Sequence, residues 1–117
     1  FERFRQHPAG TIAVSSITAA ELHFGVTKSG SARNQAALDK FLLPLAMMSF
    51  DAAAASRYGL VRTDLEQRGL PIGSLDTLIA AHALSLGAVL VTNNLREFER
   101  VKGLALENWL TESDHDL

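Results

Sequence analysis

The chain has 117 residues, of which 47% are hydrophobic, and this is enough apolar material for one compact domain with its own core. It has no cysteine, which excludes disulfides and thiolate metal sites, and no apolar stretch long enough for a membrane span, so a cytoplasmic protein is expected. The net charge is −2, but residues 111–117 carry three of the 13 acidic residues and no Lys or Arg. The rest of the chain has 10 acidic and 11 basic residues, a balance that does not exclude a nucleic-acid partner.

The first part of the chain has the pattern of a strand followed by two helices. Thr11–Ser16 is a short, β-branched run that predicts a buried strand. Thr18–Glu21 matches the S/T-x-x-E capping box, which predicts the start of a helix, and Lys28–Ser31 ends its pattern. Residues 32–43 predict a second helix that ends at Pro44, so we expect the two helices to form a hairpin.

A second strand and a long helix are predicted next. The strand covers residues 45–50, and Asp51 is a suitable N-cap for a helix that reaches Arg68 and stops at Gly69. The spacing of apolar residues predicts an inner stripe on this helix, formed by Ala55, Tyr58, Val61 and Leu65.

The last part predicts a helix, a buried strand and an edge strand. Ser74 is a plausible N-cap, Gly87 a C-terminal stop, and the predicted apolar face consists of Leu75, Leu78, Ile79, Ala83 and Leu86. The apolar run at 88–91 is typical of a central parallel strand. A short helix or loop at 95–100 and a strand within 104–110 follow. This alternation indicates an α/β fold with a mainly parallel central sheet.

Three acids stand where ligand sites form in such folds. Ligands bind beyond the carboxyl ends of parallel strands, and Glu21, Asp76 and Glu97 all fall next to a predicted strand or at the start of a helix. The N-terminus of a helix favours the ionised form of Asp76. Carboxylates without cysteine and with few histidines predict Mg²⁺ or Mn²⁺ as the bound ion.

Each of these residues also has a purely structural interpretation. Glu21 can be the capping partner of Thr18, and Asp76 suits the helix dipole whether or not it binds a metal. Glu97 lies among basic residues and can be an ordinary solvated charge. His82 is expected to be a satisfied, partly buried histidine and not a metal ligand, because no second histidine lies near it in the sequence.

Four stretches in one order go beyond a generic α/β pattern. They are Ser15–Leu22, Phe50–Ala55, Ile72–Ala83 and Leu90–Val101. Together they span nearly the whole chain and resemble the motifs of the PIN-domain ribonucleases, and within them of the VapC toxins of bacterial toxin–antitoxin pairs.

The resemblance implies a three-layer α/β/α fold and a metal-dependent endoribonuclease. Glu21, Asp76 and Glu97 match acids that bind Mg²⁺ or Mn²⁺ and carry catalysis in the family. Many relatives have an Asp where Asn94 stands, so Glu97 is expected to take more of that role. The residues expected to shape the loop and orient the ligands by hydrogen bonds are Thr92, Asn93 and Asn94.

The same resemblance implies the reaction and its partners. Metal-activated water would cut structured RNA, commonly tRNA, and leave 5′-phosphate and 3′-hydroxyl ends. A homodimer and inhibition by a VapB-type antitoxin are expected. The candidates for phosphate contacts are Arg57, Arg62, Arg68, Arg96 and Arg100.

The organisation of the chain is predicted as a single PIN-like domain over residues 1–117, with a flexible tail at about 110–117. The family's first strand, which ends in an Asp-Thr-Asn-like motif, is expected before Phe1 and is missing from this chain. One alternative is a PIN fold that has lost catalysis and only binds a protein or RNA partner. A receiver-like domain is disfavoured, because the strand at 88–91 leads into Thr92–Asn94 and not into a lysine.

Overall fold

The computed structural model describes residues 12–108. They fall into two compact units, of which the first ends at Phe50 and the second begins at Asp51. The predictions for Thr11, for the last part of the edge strand and for the tail at 110–117 lie outside the described residues. None of the helices within 12–108 is long and apolar enough to cross a membrane.

The first unit consists of two parallel strands connected through a helical hairpin. Its elements are β1 (Ala13–Ser15), α1 (Ser16–Ser29), α2 (Ala32–Leu42) and β2 (Ala46–Met48). The two strands are parallel and in register, and the two helices pack against each other. The predicted strands and hairpin are confirmed in this unit, but the predicted burial of the first strand is not: in β1 Ala13 is exposed, and Val14 and Ser15 are only partly buried.

Helix α1 begins earlier than the capping box predicts. Ser15 is its N-cap, and the Ser15 hydroxyl oxygen accepts the Ile17 N–H at 3.1 Å. Thr18 is therefore the third residue of the helix, and the prediction of a cap at Thr18 was wrong. The serine that ends the extended strand caps the helix directly, so no separate capping residue is needed.

The second unit holds the remaining helices and strands. Its elements are α3 (Ala52–Gln67), α4 (Ser74–Leu86), β3 (Leu90–Val91), α5 (Leu95–Phe98) and β4 (Leu106–Glu107). Strands β3 and β4 are parallel, as predicted. Within the described residues β4 is the one strand that pairs with β3, so the central position predicted for β3 is not seen there.

The core of the second unit lies where α3 packs against α4. Its buried members are Val61, Leu65, Ala80, Ala81, Phe98 and Val101. The alanines have small side chains, which lets the two helices approach closely. Burial of Leu65, which is 1% exposed, contributes about 1.5–3 kcal/mol to the free energy of unfolding.

Two predicted faces differ from those observed. On α3 the buried alanine is Ala54, and Ala55 is exposed. On α4 the predicted apolar residues Leu75 and Leu86 are exposed, Ala83 is buried as predicted, and the small residues Ala80 and Ala81 are buried as well. Periodicity identifies a helical face, but the close approach of α3 selects the face that carries the small side chains.

The ends of the helices in this unit are mostly as predicted. Asp51 caps α3, with its Oδ1 accepting the Ala54 N–H at 3.0 Å. Gly87 ends α4 in the left-handed conformation, with φ of 63°, which glycine adopts without strain. The N-cap of α4 is Gly73, however, and Ser74 is the first helical residue.

Candidate functional site

Gly73 lies at the centre of the candidate site, just before α4. Its carbonyl oxygen accepts both the N–H and the hydroxyl of Thr77, at 2.9 and 2.8 Å. Its own N–H donates to Glu97 Oε1 at 2.9 Å. A Cβ atom at Gly73 would lie 3.7 Å from Asp76 Oδ2 and 3.8 Å from Glu97 Oε1. The two carboxyl groups therefore converge beside a glycine, which has no side chain to contact them.

Asp76 is the third residue of α4, in its first turn, as the sequence predicts. The unpaired N–H groups at a helix N-terminus favour a negative charge there. The Asp76 carboxyl group also hydrogen-bonds to Glu97. A hydrogen bond between two carboxyl groups needs a proton on one of them, because two bare negative charges repel at this range.

Glu97 lies on the short helix α5, and its surroundings favour the ionised form. Its pKa is lowered first by the Gly73 N–H, then by the side-chain amide of Asn94, with smaller effects from Asp76 and the positive charge of Arg100. Partial burial opposes the shift but does not cancel it. Glu97 is thus a carboxylate at neutral pH.

Asn94 orients Glu97 from the loop that follows β3. Its Nδ2 donates to Glu97 Oε2 at 2.7 Å, and its backbone N–H donates to the Thr92 hydroxyl oxygen at 3.0 Å. Asn93 is exposed in the same turn. Both oxygens of Glu97 therefore have a donor, one from Gly73 and one from Asn94, which fixes the plane of the carboxylate.

Glu21 lies in the first unit, apart in sequence from this pair. It is the sixth residue of α1, exposed, and past the first turn. Its interpretation as a capping partner of Thr18 is wrong, since Thr18 is not the cap. A role beside Asp76 and Glu97 remains a prediction. Among residues 12–108 there is no group of three or more His, Cys, Asp or Glu side chains that could hold a metal ion.

The five candidate arginines have different surroundings. Arg57 and Arg96 are exposed, and Arg62 is exposed but pairs with Glu66, its Nε lying 2.7 Å from Glu66 Oε2. The guanidinium groups of Arg68 and Arg100 donate to other parts of the second unit. Whether any of them binds RNA remains a prediction.

The contacts of Gly73 and Thr77 were not predicted from the sequence. Gly73 contributes only backbone groups, and its N–H meets Glu97 across 24 residues of sequence. The Thr77 hydroxyl donates to the Gly73 carbonyl oxygen. The spacing of Asn94 and Glu97, three apart at the start of a short helix, was an available signal for their contact. His82 is 1% exposed on α4, so it is more deeply buried than the partly buried histidine that the sequence predicts.

The oxygen atoms that this site offers as ligands fit a hard divalent cation. Asp76 Oδ2 and Glu97 Oε1 face the same space beside Gly73, and the Asn94 side-chain amide donates to the other oxygen of Glu97. Oxygen donors of this kind suit Mg²⁺ and Mn²⁺. Asp76 and Glu97 would hold such an ion, and Asn94 and Gly73 would hold Glu97.

Comparison with known proteins identifies the family. The PIN domain family matches residues 1–104, across both units. The chain belongs to the PIN-domain family. Within it, the chain is 53% identical over 100 residues to ribonuclease VapC2 of Rickettsia felis, an alignment that covers 85% of this chain and 75% of the relative. This confirms the resemblance to the VapC ribonucleases.

Two further PIN-domain relatives extend the comparison. The chain is 44% identical over 109 residues to the tRNA(fMet)-specific endonuclease VapC of Shigella flexneri, covering 92% of this chain and 82% of the relative. The crystal structure of DNA-bound VapBC from Salmonella typhimurium matches with a TM-score of 0.86 and 42% identity, over 92% of this chain and 82% of that one. The predicted α/β fold of the PIN type is thus confirmed.

Proposed function

We propose that this chain is a metal-dependent endoribonuclease and the toxin of a toxin–antitoxin pair. The observation that carries the proposal is the convergence of Asp76 and Glu97 beside Gly73. A pair of carboxyl groups that meet beside a glycine suits a divalent cation, because a positive charge between two carboxylates offsets the repulsion of their negative charges.

The residues of the chain divide the work as follows. Asp76 and Glu97 bind the cation, and Glu21 is the third acid that we assign to the site. Asn94 and the Gly73 N–H hold Glu97 in its orientation and keep it ionised. Thr92 fixes the turn in which Asn94 lies, and Asn93 is exposed in that turn.

When bound, Mg²⁺ or Mn²⁺ supplies the Lewis acidity that lowers the pKa of a nucleophilic water and neutralises charge at the scissile phosphate. The carboxylates need not accept the proton of a ribose hydroxyl, so the ribose 2′-OH stays outside the reaction. We therefore expect 5′-phosphate and 3′-hydroxyl ends.

The substrate and partners are proposed from the relatives. A relative named as a tRNA(fMet)-specific endonuclease supports structured RNA, and tRNA in particular, as the substrate. A related VapBC structure supports a VapB-type antitoxin as a partner. We also propose a homodimer and a cytoplasmic location. Arg57, Arg62 and Arg96 are exposed and are the arginines best placed for phosphate contacts.

The proposal is tested by incubating the full chain with total tRNA and Mg²⁺, and by analysing the ends of the products. Asp76→Asn keeps the shape of the side chain and removes its charge, and Asp39→Asn, on α2, is the matched control. We expect cleavage by the unchanged chain and by Asp39→Asn, and none by Asp76→Asn. Products with 2′,3′-cyclic phosphates, or equal cleavage by all three proteins, would contradict the proposal.

A second candidate is a PIN-fold module that binds RNA or a protein without cutting. It is favoured by Asn94, an uncharged residue that uses its amide to hold Glu97, and by the absence of a group of three acids among residues 12–108. The same assay separates the two, since such a module would bind RNA but release no fragments at any Mg²⁺ concentration.

A further inference from the structure

We propose that Arg100 is a positioning residue, which clamps the loop before α4 so that the Gly73 N–H meets Glu97. This inference rests on the proposed function for its effect on catalysis, but the clamp itself can be observed without any activity. It assigns to Arg100 a role other than the phosphate contact expected from the sequence.

The clamp consists of two contacts between one helical turn and one loop. Glu97 Oε1 accepts the Gly73 N–H at 2.9 Å, and Arg100 Nη1 donates to the Pro71 carbonyl oxygen at 3.0 Å. The Arg100 backbone N–H in turn donates to the Glu97 carbonyl oxygen at 3.2 Å, so both side chains leave the same turn. One side chain accepts from the loop and the other donates to it, which fixes the loop in both position and orientation.

A second arginine fastens this turn to α3. Arg68 Nη2 donates to the Arg100 carbonyl oxygen, and Arg68 Nε and Nη2 donate to Asp64 Oδ2 at 2.9 and 2.6 Å. The Arg68 side chain is only 27% exposed. The turn from Glu97 to Arg100 is therefore held from two sides, by the loop and by α3, at the point where it must present Glu97.

Arg96 provides the contrast within the same short helix. Its side chain is exposed and makes no hydrogen bond or ion pair within residues 12–108. Arg100 is half-buried, and its guanidinium group is committed to a carbonyl oxygen. Arg96 is therefore suited to contact a phosphate group, whereas Arg100 binds the loop before α4.

The experiment compares Arg100→Ala, Arg100→Gln and Arg96→Ala, with Arg33→Ala on α2 as the control for loss of a positive charge. Hydrogen exchange of the Gly73 amide is followed by NMR, together with kcat, KM, the salt dependence of RNA binding and the melting temperature. Glutamine lacks the charge but retains an amide donor, so it separates the hydrogen bond from electrostatics.

For Arg100→Ala we expect faster exchange of the Gly73 amide and a kcat lower by about 10- to 100-fold, as for other residues that orient metal ligands. KM and the salt slope of RNA binding should stay within about twofold, and Arg100→Gln should restore part of kcat and of the protection. Arg96→Ala should reduce the salt slope, which is the slope of the logarithm of the RNA-binding constant against the logarithm of the salt concentration, by about one, as loss of one phosphate contact does. Arg33→Ala should leave the Gly73 amide unchanged.

Three results would overturn the inference. Unchanged exchange of the Gly73 amide in Arg100→Ala would show that no clamp exists. A salt slope reduced by about one with kcat unchanged would make Arg100 a phosphate contact. Equal losses in Arg100→Ala and Arg100→Gln that follow the melting temperature would indicate general destabilisation. If the unchanged chain cuts no RNA, the proposed function fails, but the Gly73 amide still decides the clamp.

Discussion

Glu97 Oε1 accepts the Gly73 N–H at 2.9 Å, across 24 residues of sequence. This contact joins the helix that carries Glu97 to the N-terminus of the helix that carries Asp76. It also lowers the pKa of Glu97 more than any other neighbour does. The orientation and the charge of the carboxylate thus depend on a backbone group, which substitutions other than proline leave in place.

Asn94→Asp tests the second contact of Glu97. It replaces the amide that donates to Glu97 Oε2 with a carboxylate, so a favourable hydrogen bond becomes a repulsion between like charges. The pKa of Glu97 should rise, and the pH at which activity falls on the acid side should therefore move upward. Asn94→Ala should lower kcat by about 10- to 100-fold.

The pH–rate profile of each variant is the measurement for Asn94. Asn34→Asp, at an exposed position on α2, controls for the added charge and should keep the original profile. An Asn94→Asp profile that coincides with that of the unchanged chain would contradict the assigned role of Asn94.

Gly73→Ala should separate stability from cation binding. Gly73 has φ of −57°, which alanine adopts readily, and the new Cβ would make ordinary contacts at 3.7 and 3.8 Å with the two carboxylate oxygens. The free energy of unfolding should change by less than about 1 kcal/mol, since a poorer N-cap and a less flexible unfolded chain offset each other. Affinity for Mn²⁺ should fall, because the methyl group would contact both oxygens on the side that faces Gly73.

Gly59→Ala is the control for that substitution. Gly59 lies within α3 with no atom within 4 Å of the position of a Cβ, so alanine should raise the free energy of unfolding by up to about 1 kcal/mol. Mn²⁺ affinity should not change. If both alanine variants bind Mn²⁺ like the unchanged chain, the space beside Gly73 is not the cation site.

Glu21→Gln tests an acid that the sequence selects and the structure leaves unassigned. Glu21 is exposed and does not cap α1, so its loss should change the free energy of unfolding by no more than about 0.5 kcal/mol. RNA cleavage should nevertheless be abolished if Glu21 completes the acidic site. Melting temperature and cleavage, measured on one preparation, decide this, and retained cleavage would remove Glu21 from the site.

Leu65→Ala tests the packing that supports the site. Leu65 is 1% exposed between α3 and α4, and its truncation should lower the free energy of unfolding by about 2–5 kcal/mol. Leu60→Ala, at a position that is 65% exposed on the same helix, should cost no more than about 0.5 kcal/mol. Similar costs in urea unfolding would contradict the observed orientation of α3.

Local signals in the sequence predicted the elements that local chemistry determines. The cap at Asp51, the stop at Gly87 and the first-turn position of Asp76 each depend on a few neighbouring residues. The parallel direction of the short strands followed from their alternation with helices.

What the sequence could not reveal depends on tertiary contacts. The burial of Ala54 in place of Ala55 depends on where α4 packs. Nothing in the sequence around Gly73 indicates that its N–H donates to Glu97. Arg100 likewise resembles the other basic residues in the sequence, and only the structure shows that it donates to the Pro71 carbonyl oxygen. The pattern of charges in the sequence shows which residues could contact a ligand. The tertiary structure determines which of them bind backbone groups of the protein instead.

Binding of Mn²⁺ is the most direct test of the claim that Asp76 and Glu97 jointly hold a divalent cation. Isothermal titration calorimetry on the full chain, on Asp76→Asn and Glu97→Gln, and on Asp39→Asn as the control measures it without RNA. We expect the unchanged chain and Asp39→Asn to bind Mn²⁺ with the same affinity, and the affinity of each of the other two variants to be at least about tenfold lower. Equal affinity in all four proteins, or no binding by the unchanged chain, would contradict it.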